Sequence, residues 1–270
     1  LREKNAAFDK PIEPLPPPPR VVLPMPLQGG VPCRPGVKAG DYVTVGQKIA
    51  EGLPAVHTPI AGRVSTVSPQ VQPSGTSVLS VVVDNDFSGA LCPAVRPPEN
   101  PDRLTARQLL SLLESSGITE WNAPHLPIHK KIAAGMGRAD TVIINACESE
   151  PYLAANNRLA LEYPEQLLGG AGVLARLYGV DRVHIALERE KREAIQVLRA
   201  KIQELRAPAV VDALSLRYPQ SAEKPLCRAL TGRRTPPGAS AAAIGCAVVD
   251  APAAAALYEA VFHGRPLTHR

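Results

Sequence analysis

The chain has 270 residues, 45% of them apolar and 4% aromatic, and a net charge of +5, enough for one large domain or two smaller ones. The basic residues are scattered without a run of five like charges, so the excess reads as solvated faces and excludes a nucleic-acid surface. No stretch of 18 apolar residues is present to span a membrane.

Cys33, Cys92, Cys147, Cys227 and Cys246 are widely spaced with no Cys-x-x-Cys pair. They read as reduced cytosolic thiols, not as ligands of a metal or cluster. The chain opens on Leu1, not Met, and shows no signal-peptide pattern, which points to a trimmed chain. The prolines cluster at 14–26 and 93–101, marking a leading segment (1–19) and a linker (86–104).

Residues 20–85 read as β. "RVVLPMPL", "DYVTVGQKIAE", "AGRVSTVSP" and "SVLSVVVDND" are short β-branched runs broken by glycine and proline. Gly40-Asp41 and Gly62 are expected in turns, with Val43, Val45, Val64 and Val67 facing inward. The rhythm is that of a biotinyl/lipoyl-like barrel-sandwich. Lys48 does not sit at a hairpin tip, so no swinging arm is expected there. After the linker, Thr105 caps a helix, "ARQLLSLLESSG", with Leu109, Leu110, Leu112 and Leu113 apolar and Gly117 as its stop.

From residue 139 strands alternate with helices. "DTVIINA", "VDRVHIALE" and "PAVVDALSL" are strands; "YPEQLLGGAGVLARLYG", "KREAIQVLRAKIQELR" and "PLCRALTG" are helices. The expected fold of 105–270 is therefore an α/β, Rossmann-like domain with a mostly parallel sheet. The glycines of "GGAG" lie inside a helix, where they serve close packing and not a dinucleotide loop.

In open α/β sheets ligands bind beyond the carboxyl ends of the strands. The first strand ends at Asn145 and runs into Glu148 and Glu150; the second ends at Glu188; a loop after the third carries Glu223 and Lys224. These groups converge on one edge, and the carboxylates could accept bonds from a polyhydroxylated or heterocyclic ligand. Cys147 reads as a quiet buried thiol. His125 and His129 read as loop-surface histidines, and Trp121 as a core or interface anchor.

"INACESEPYLAANNRL" resembles the Asn-Ala-x-Glu-x-Glu-Pro-Tyr segment of the RnfC family, NADH-side subunits of ion-pumping ferredoxin:NAD oxidoreductases related to the flavin subunit of respiratory complex I. "VKAGDYVTVGQKIAEGLPAVHTPIAGRVSTV" is similar to that family's N-terminal sandwich, "RYPQSAEKPLCRALTGRRTPPGA" to its Tyr-Pro-x-x-x-Glu-Lys-x-Leu segment, and "AVFHGRPLTHR" to the start of its next domain. The resemblance implies FMN and NADH as cofactors, with Asn145, Glu148 and Glu150 at the isoalloxazine or ribityl chain. Lys131, Glu188, Glu223 and Lys224 complete the expected binding set. It also implies a cytoplasmic subunit, peripheral on the inner face of the cell membrane, whose partners are the other subunits of a redox complex.

The departures from the family pattern cluster near the expected phosphate loop. Where the family has Gly-Gly-x-Gly-Phe-Pro-x-x-x-Lys, this chain reads "NAPHLPIHKK", keeping only Pro127 and the base at Lys131. Glycines let backbone N–H groups approach a phosphate closely, and side chains there block the approach. Ser221-Ala222 replaces a Gly-Gly, and Asn156-Asn157-Arg158 stands where the family shows Asp-Asp-Arg. Losing two charge-assisted bonds of about 1.5–3 kcal/mol each weakens binding by roughly two to four decades. The expectation is an RnfC-like electron-transport subunit with weakened or lost flavin binding. The alternatives are a non-catalytic docking subunit and a quinone or other small-ligand site like that of NqrA subunits. The chain stops before the family's β-grasp-like domain and cysteine clusters, so no iron–sulfur cluster is expected in this segment.

Overall fold

Runs of valine broken by glycine and proline build the first part of the chain as antiparallel sheet. Branched side chains pack on a pleated surface, and prolines are kept to strand ends and edges. The computed structural model describes residues 10–25, 27–28, 31–121, 123–148, 150, 152–215 and 217–268. Its contacts divide the chain into two units, one of residues 14–130 and 259–270, the other of residues 1–13 and 131–258. Residues 105–130 thus group with the β part.

The β unit contains β1 (Arg20–Pro24), β2 (Leu27–Gln28), β3 (Val31–Pro32), β4 (Arg34–Pro35), β5 (Tyr42–Val43), β6 (Lys48–Glu51), β7 (Val56–His57), β8 (Gly62–Val71) and β9 (Ser77–Asn85). One sheet has the order β1-β9-β8-β5 and a second the order β4-β6-β7. Val43, Ile49, Val64, Val81 and Val83 from the two sheets share one buried core, with Val67 packed against it. Val45 is only half-buried. Lys48 lies within β6, paired with Glu51 at 2.5 Å. Gly62 was expected in a turn; it begins β8. Its φ is +150°, and a Cβ there would lie 1.9 Å from the Asp84 carbonyl oxygen. Glycine is required for that close approach of strands.

Thr105 does cap α1 (Ala106–Ser115), in a capping box with Gln108, and Leu109 and Leu113 are buried. The stretch expected to be a loop at 122–131 is not one. β10 (Thr119–Glu120) pairs antiparallel with β11 (Ala123–Pro127), and α2 (Ile128–Gly135) follows directly. His129 is therefore a helical residue, 9% exposed, with Nε2 3.9 Å from Glu114 Oε1. Burial lowers its pKa, so it is not a surface histidine. The side chain of His125 and all of Asn122 lie outside the described residues. Trp121 is 74% exposed and anchors no core.

The α/β unit continues with β12 (Thr141–Asn145), α3 (Ala155–Glu162), α4 (Pro164–Tyr178), β13 (Val183–Glu188), α5 (Arg192–Leu205), β14 (Ala209–Leu214), α6 (Glu223–Thr231), β15 (Cys246–Asp250) and α7 (Ala251–His263). The sheet order is β14-β13-β12-β15, with every pair parallel. Interior parallel strands are covered on both faces, which is why β12 reads as a continuous apolar run. β15 and α7 escaped the sequence reading. "ASAAAIGCAVVDAPAAAALYEAVF" is alanine-rich on every face, so it carries neither a period of 2 nor one of 3.6. The boundary itself is built locally: Asp250 Oδ1 accepts the Ala253 N–H at 2.7 Å and caps α7.

The helical glycines do serve packing. A Cβ on Gly169 would meet the Tyr258 ring at 2.0 Å, and one on Gly170 the Ala254 carbonyl oxygen at 2.0 Å. α4 and α7 approach closely there because both positions lack side chains. Among the described residues no helix is long and apolar enough to cross a membrane.

Candidate functional site

β12 delivers its last residue, Asn145, to the carboxyl edge of the sheet, 8% exposed. Its Nδ2 donates to the Ser221 carbonyl at 2.8 Å, and its Oδ1 accepts the Cys147 N–H at 3.2 Å. The amide thus ties the end of β12 to the loop before α6, and both its ends are occupied by the protein's own backbone.

Glu148 and Glu188 meet beyond that point. The Glu148 N–H donates to Glu188 Oε1 at 2.5 Å. The Glu148 carboxylate accepts the Asn156 N–H at 2.6 Å through Oε1 and pairs with Lys191 through Oε2. Lys191 Nζ also lies 3.0 Å from Glu188 Oε2. That second contact is an ion pair without hydrogen-bond alignment, for Glu188 Oε2 is buried with no donor. The side chains of Glu148, Glu188 and Lys191 are 5%, 3% and 7% exposed. Two carboxylates and one ammonium have therefore been withdrawn from water together. Such a cluster holds only while the charges stay paired and the remaining lone pairs find donors.

Lys191 was not read from the sequence. Its signal was there: a lysine three residues after the strand-ending Glu188, at the cap of α5. Cys147 sits beside the cluster, 4% exposed. Burial first, and the Glu188 carboxylate next, push its thiol up to about 12, with Lys191 opposing. It is a quiet thiol, as its apolar neighbours suggested.

The other expected residues lie apart from this cluster. Glu150 is exposed. Glu223 opens α6; its Oε1 accepts the Ala241 N–H at 2.9 Å and its Oε2 lies 3.6 Å from Lys131 Nζ. Lys224 is exposed on the outer face of α6. The structure thus gathers Asn145, Glu148 and Glu188 into one internal network, pairs Lys131 with Glu223, and leaves Glu150 and Lys224 toward solvent. Asn156 and Lys191 are the added members.

Comparison with known proteins follows the same two-part division. The RnfC barrel sandwich hybrid domain matches residues 1–88, and the Nuo51 FMN-binding domain matches residues 113–259. The RnfC-type subunit of the Na(+)-translocating ferredoxin:NAD(+) oxidoreductase complex of Acetobacterium woodii is 33% identical over 94% of this chain and 58% of its own length. Its counterpart in the proton-translocating ferredoxin:NAD(+) oxidoreductase complex of Clostridium ljungdahlii is 29% identical over 99% of this chain and 59% of its own. The counterpart in the ion-translocating oxidoreductase complex of Serratia proteamaculans is 30% identical over 99% and 38%. The chain accordingly spans less than two thirds of the length of these relatives. An NAD+-reducing NiFe-hydrogenase in its H2-reduced state shares the fold, at 21% identity and a TM-score of 0.53 over 63% of this chain and 32% of that one. With the second domain family covering more than half of it and the first lying directly in front, the chain belongs to the RnfC family, a barrel sandwich hybrid domain followed by a Nuo51-type FMN-binding domain.

Proposed function

We propose that the chain is an RnfC-like electron-transport subunit whose flavin-type unit grips flavin weakly or not at all. In this reading it serves mainly to dock with the other subunits of a redox complex on the inner face of a membrane. The observation that carries the reading is the state of Glu148. Its carboxylate is 5% exposed and is engaged by the Asn156 N–H and the Lys191 ammonium. Asn145 is likewise bonded at both ends of its amide.

The residues present do not fit a tightly held flavin, since three of the expected contacts are satisfied internally. A ligand would have to break charge-assisted bonds to recruit them, each worth about 1.5–3 kcal/mol. No hydride step is assigned on this geometry. What the relatives' names say of ferredoxin and NAD(+) supports the electron-transport role.

A second reading, a working NADH-to-FMN module, is favoured by the exposed Glu150 and by the exposed ammonium of Lys224 at the same sheet edge. A visible absorbance spectrum of the purified protein, followed by FMN titration and NADH addition, separates the two. The expected result is a colourless protein that takes up FMN only weakly. A yellow protein bleached by NADH establishes the second reading and removes the first.

A further inference from the structure

On the outer side of α6 lies a groove of about 640 Å³ lined by Arg217, Tyr218, Lys224, Arg228, Arg234 and Thr235, among others. That volume lies within the 300–1,000 Å³ range usual for small-molecule sites. Four cations line the groove and no acid does. Lys224 and Arg228 are one helical turn apart on α6, so their side chains lie on one face. None of the four cations has an acidic partner among the described residues.

The neighbouring charges are spent elsewhere. Glu223 turns away from the groove to the Ala241 N–H and Lys131. Arg233, adjacent to Arg234, turns to Asp140, with its nitrogens 2.6 and 3.0 Å from the carboxylate. Thr235 adds a buried hydroxyl, Oγ1, with no hydrogen-bond partner. Tyr218 is 83% exposed and contributes a ring at the rim. A cluster of like charges held this close repels itself and destabilises the fold unless something anionic shares the space.

We propose that this groove binds a nucleoside diphosphate. Guanidinium groups match phosphate oxygens bidentately, and three arginines with one lysine balance the roughly three negative charges of a diphosphate. The Tyr218 ring gives a base a face to stack on. The unsatisfied Thr235 hydroxyl supplies a donor for one more phosphate oxygen. The proposal stands apart from the flavin reading. It shares only Lys224 with the expected flavin set, and it does not require the Glu148 cluster to open.

Calorimetric titration with inorganic pyrophosphate and with ADP tests it, with flavin absorbance scored separately. ADP is expected to bind saturably, pyrophosphate more weakly, and both less tightly as ionic strength rises. Arg228→Gln and Arg234→Gln should each lower ADP affinity about tenfold or more. Arg199→Gln, an exposed arginine of α5, should change nothing. Tyr218→Ala should bring ADP down to the affinity of pyrophosphate. No saturable binding to the wild-type chain, or an affinity unchanged by Arg228→Gln and Arg234→Gln, overturns the proposal. Equal affinity for ADP and pyrophosphate in the wild-type chain overturns the nucleoside part of it. A failure to bind FMN bears only on the flavin reading.

Discussion

Lys191 and Glu148 form an ion pair in which neither side chain is more than 7% exposed, and the same ammonium lies 3.0 Å from Glu188 Oε2. One lysine therefore holds two buried carboxylates from different elements, β13 and the turn after β12. The cost of desolvating three charges is repaid only while that lysine stays.

Removing Lys191 should accordingly be severe. Lys191→Met leaves two carboxylates facing each other without a counter-ion and should destabilise the chain by about 3–5 kcal/mol. Glu148→Gln keeps the Glu188–Lys191 pair and an acceptor for the Asn156 N–H, and should cost only about 1 kcal/mol. Urea unfolding of the two variants checks the order. Equal losses would mean that the cluster is not held by the lysine.

The packing of α4 on α7 gives an opposed pair of substitutions. A Cβ on Gly170 would lie 2.0 Å from the Ala254 carbonyl oxygen, whereas one on Gly172 meets nothing within 4 Å. Gly170→Ala should destabilise by about 1–3 kcal/mol through overpacking. Gly172→Ala should stabilise by about 0.5–1 kcal/mol, since alanine loses less backbone freedom in a helix. Thermal unfolding of both variants decides whether the glycines of that helix are set by contact.

His184 and Asp212 face each other across β13 and β14, with Nδ1 and Oδ2 2.8 Å apart. The hydrogen bond from Asp212 raises the His184 pKa above its ordinary value, against an opposing effect of burial. A raised folded-state pKa stabilises fully below the unfolded value of about 6.5, and the gain is lost as pH rises through the folded value. Asp212→Asn should therefore destabilise the chain in mild acid and leave it nearly unchanged at alkaline pH. Both side chains are partly solvated, so the difference should be small. Chemical unfolding at the two pH extremes reads it out.

The thiols give a prediction about access. Cys33, Cys147, Cys227 and Cys246 are buried, and Cys92 is half-buried. Burial pushes the Cys147 thiol to about 12, which leaves almost no thiolate at neutral pH. Iodoacetamide should label the native chain mainly at Cys92, and Cys92→Ser should abolish that labelling. Rapid modification of Cys147 in the folded chain would contradict the burial described.

Much of the fold was legible because its segments keep one period each. β12, β13 and β14 are short apolar runs, α5 is amphipathic, and Thr105 with Gln108 signals a helix start. β15 and α7 were not legible, because alanine is compatible with every face and marks none. The strand β11 was hidden by its two prolines, which usually argue against a ladder; here it pairs on one side only, with β10. At the candidate site the acidic residues were found but not their counter-ion. The spacing that places Lys191 beside Glu148 is 43 residues in sequence, and no local pattern encodes it.

The sheet order has a consequence for synthesis. β15 lies beside β12, yet it is the last strand of that sheet to leave the ribosome, about a hundred positions after its neighbour. Until it arrives, one margin of β12 carries unpaired amides, and such margins recruit foreign strands. A nascent chain halted before Cys246 is therefore expected to bind chaperones or aggregate, while one extended through His263 resists protease. Pulse proteolysis of stalled chains of the two lengths would register the moment at which the α/β unit becomes whole.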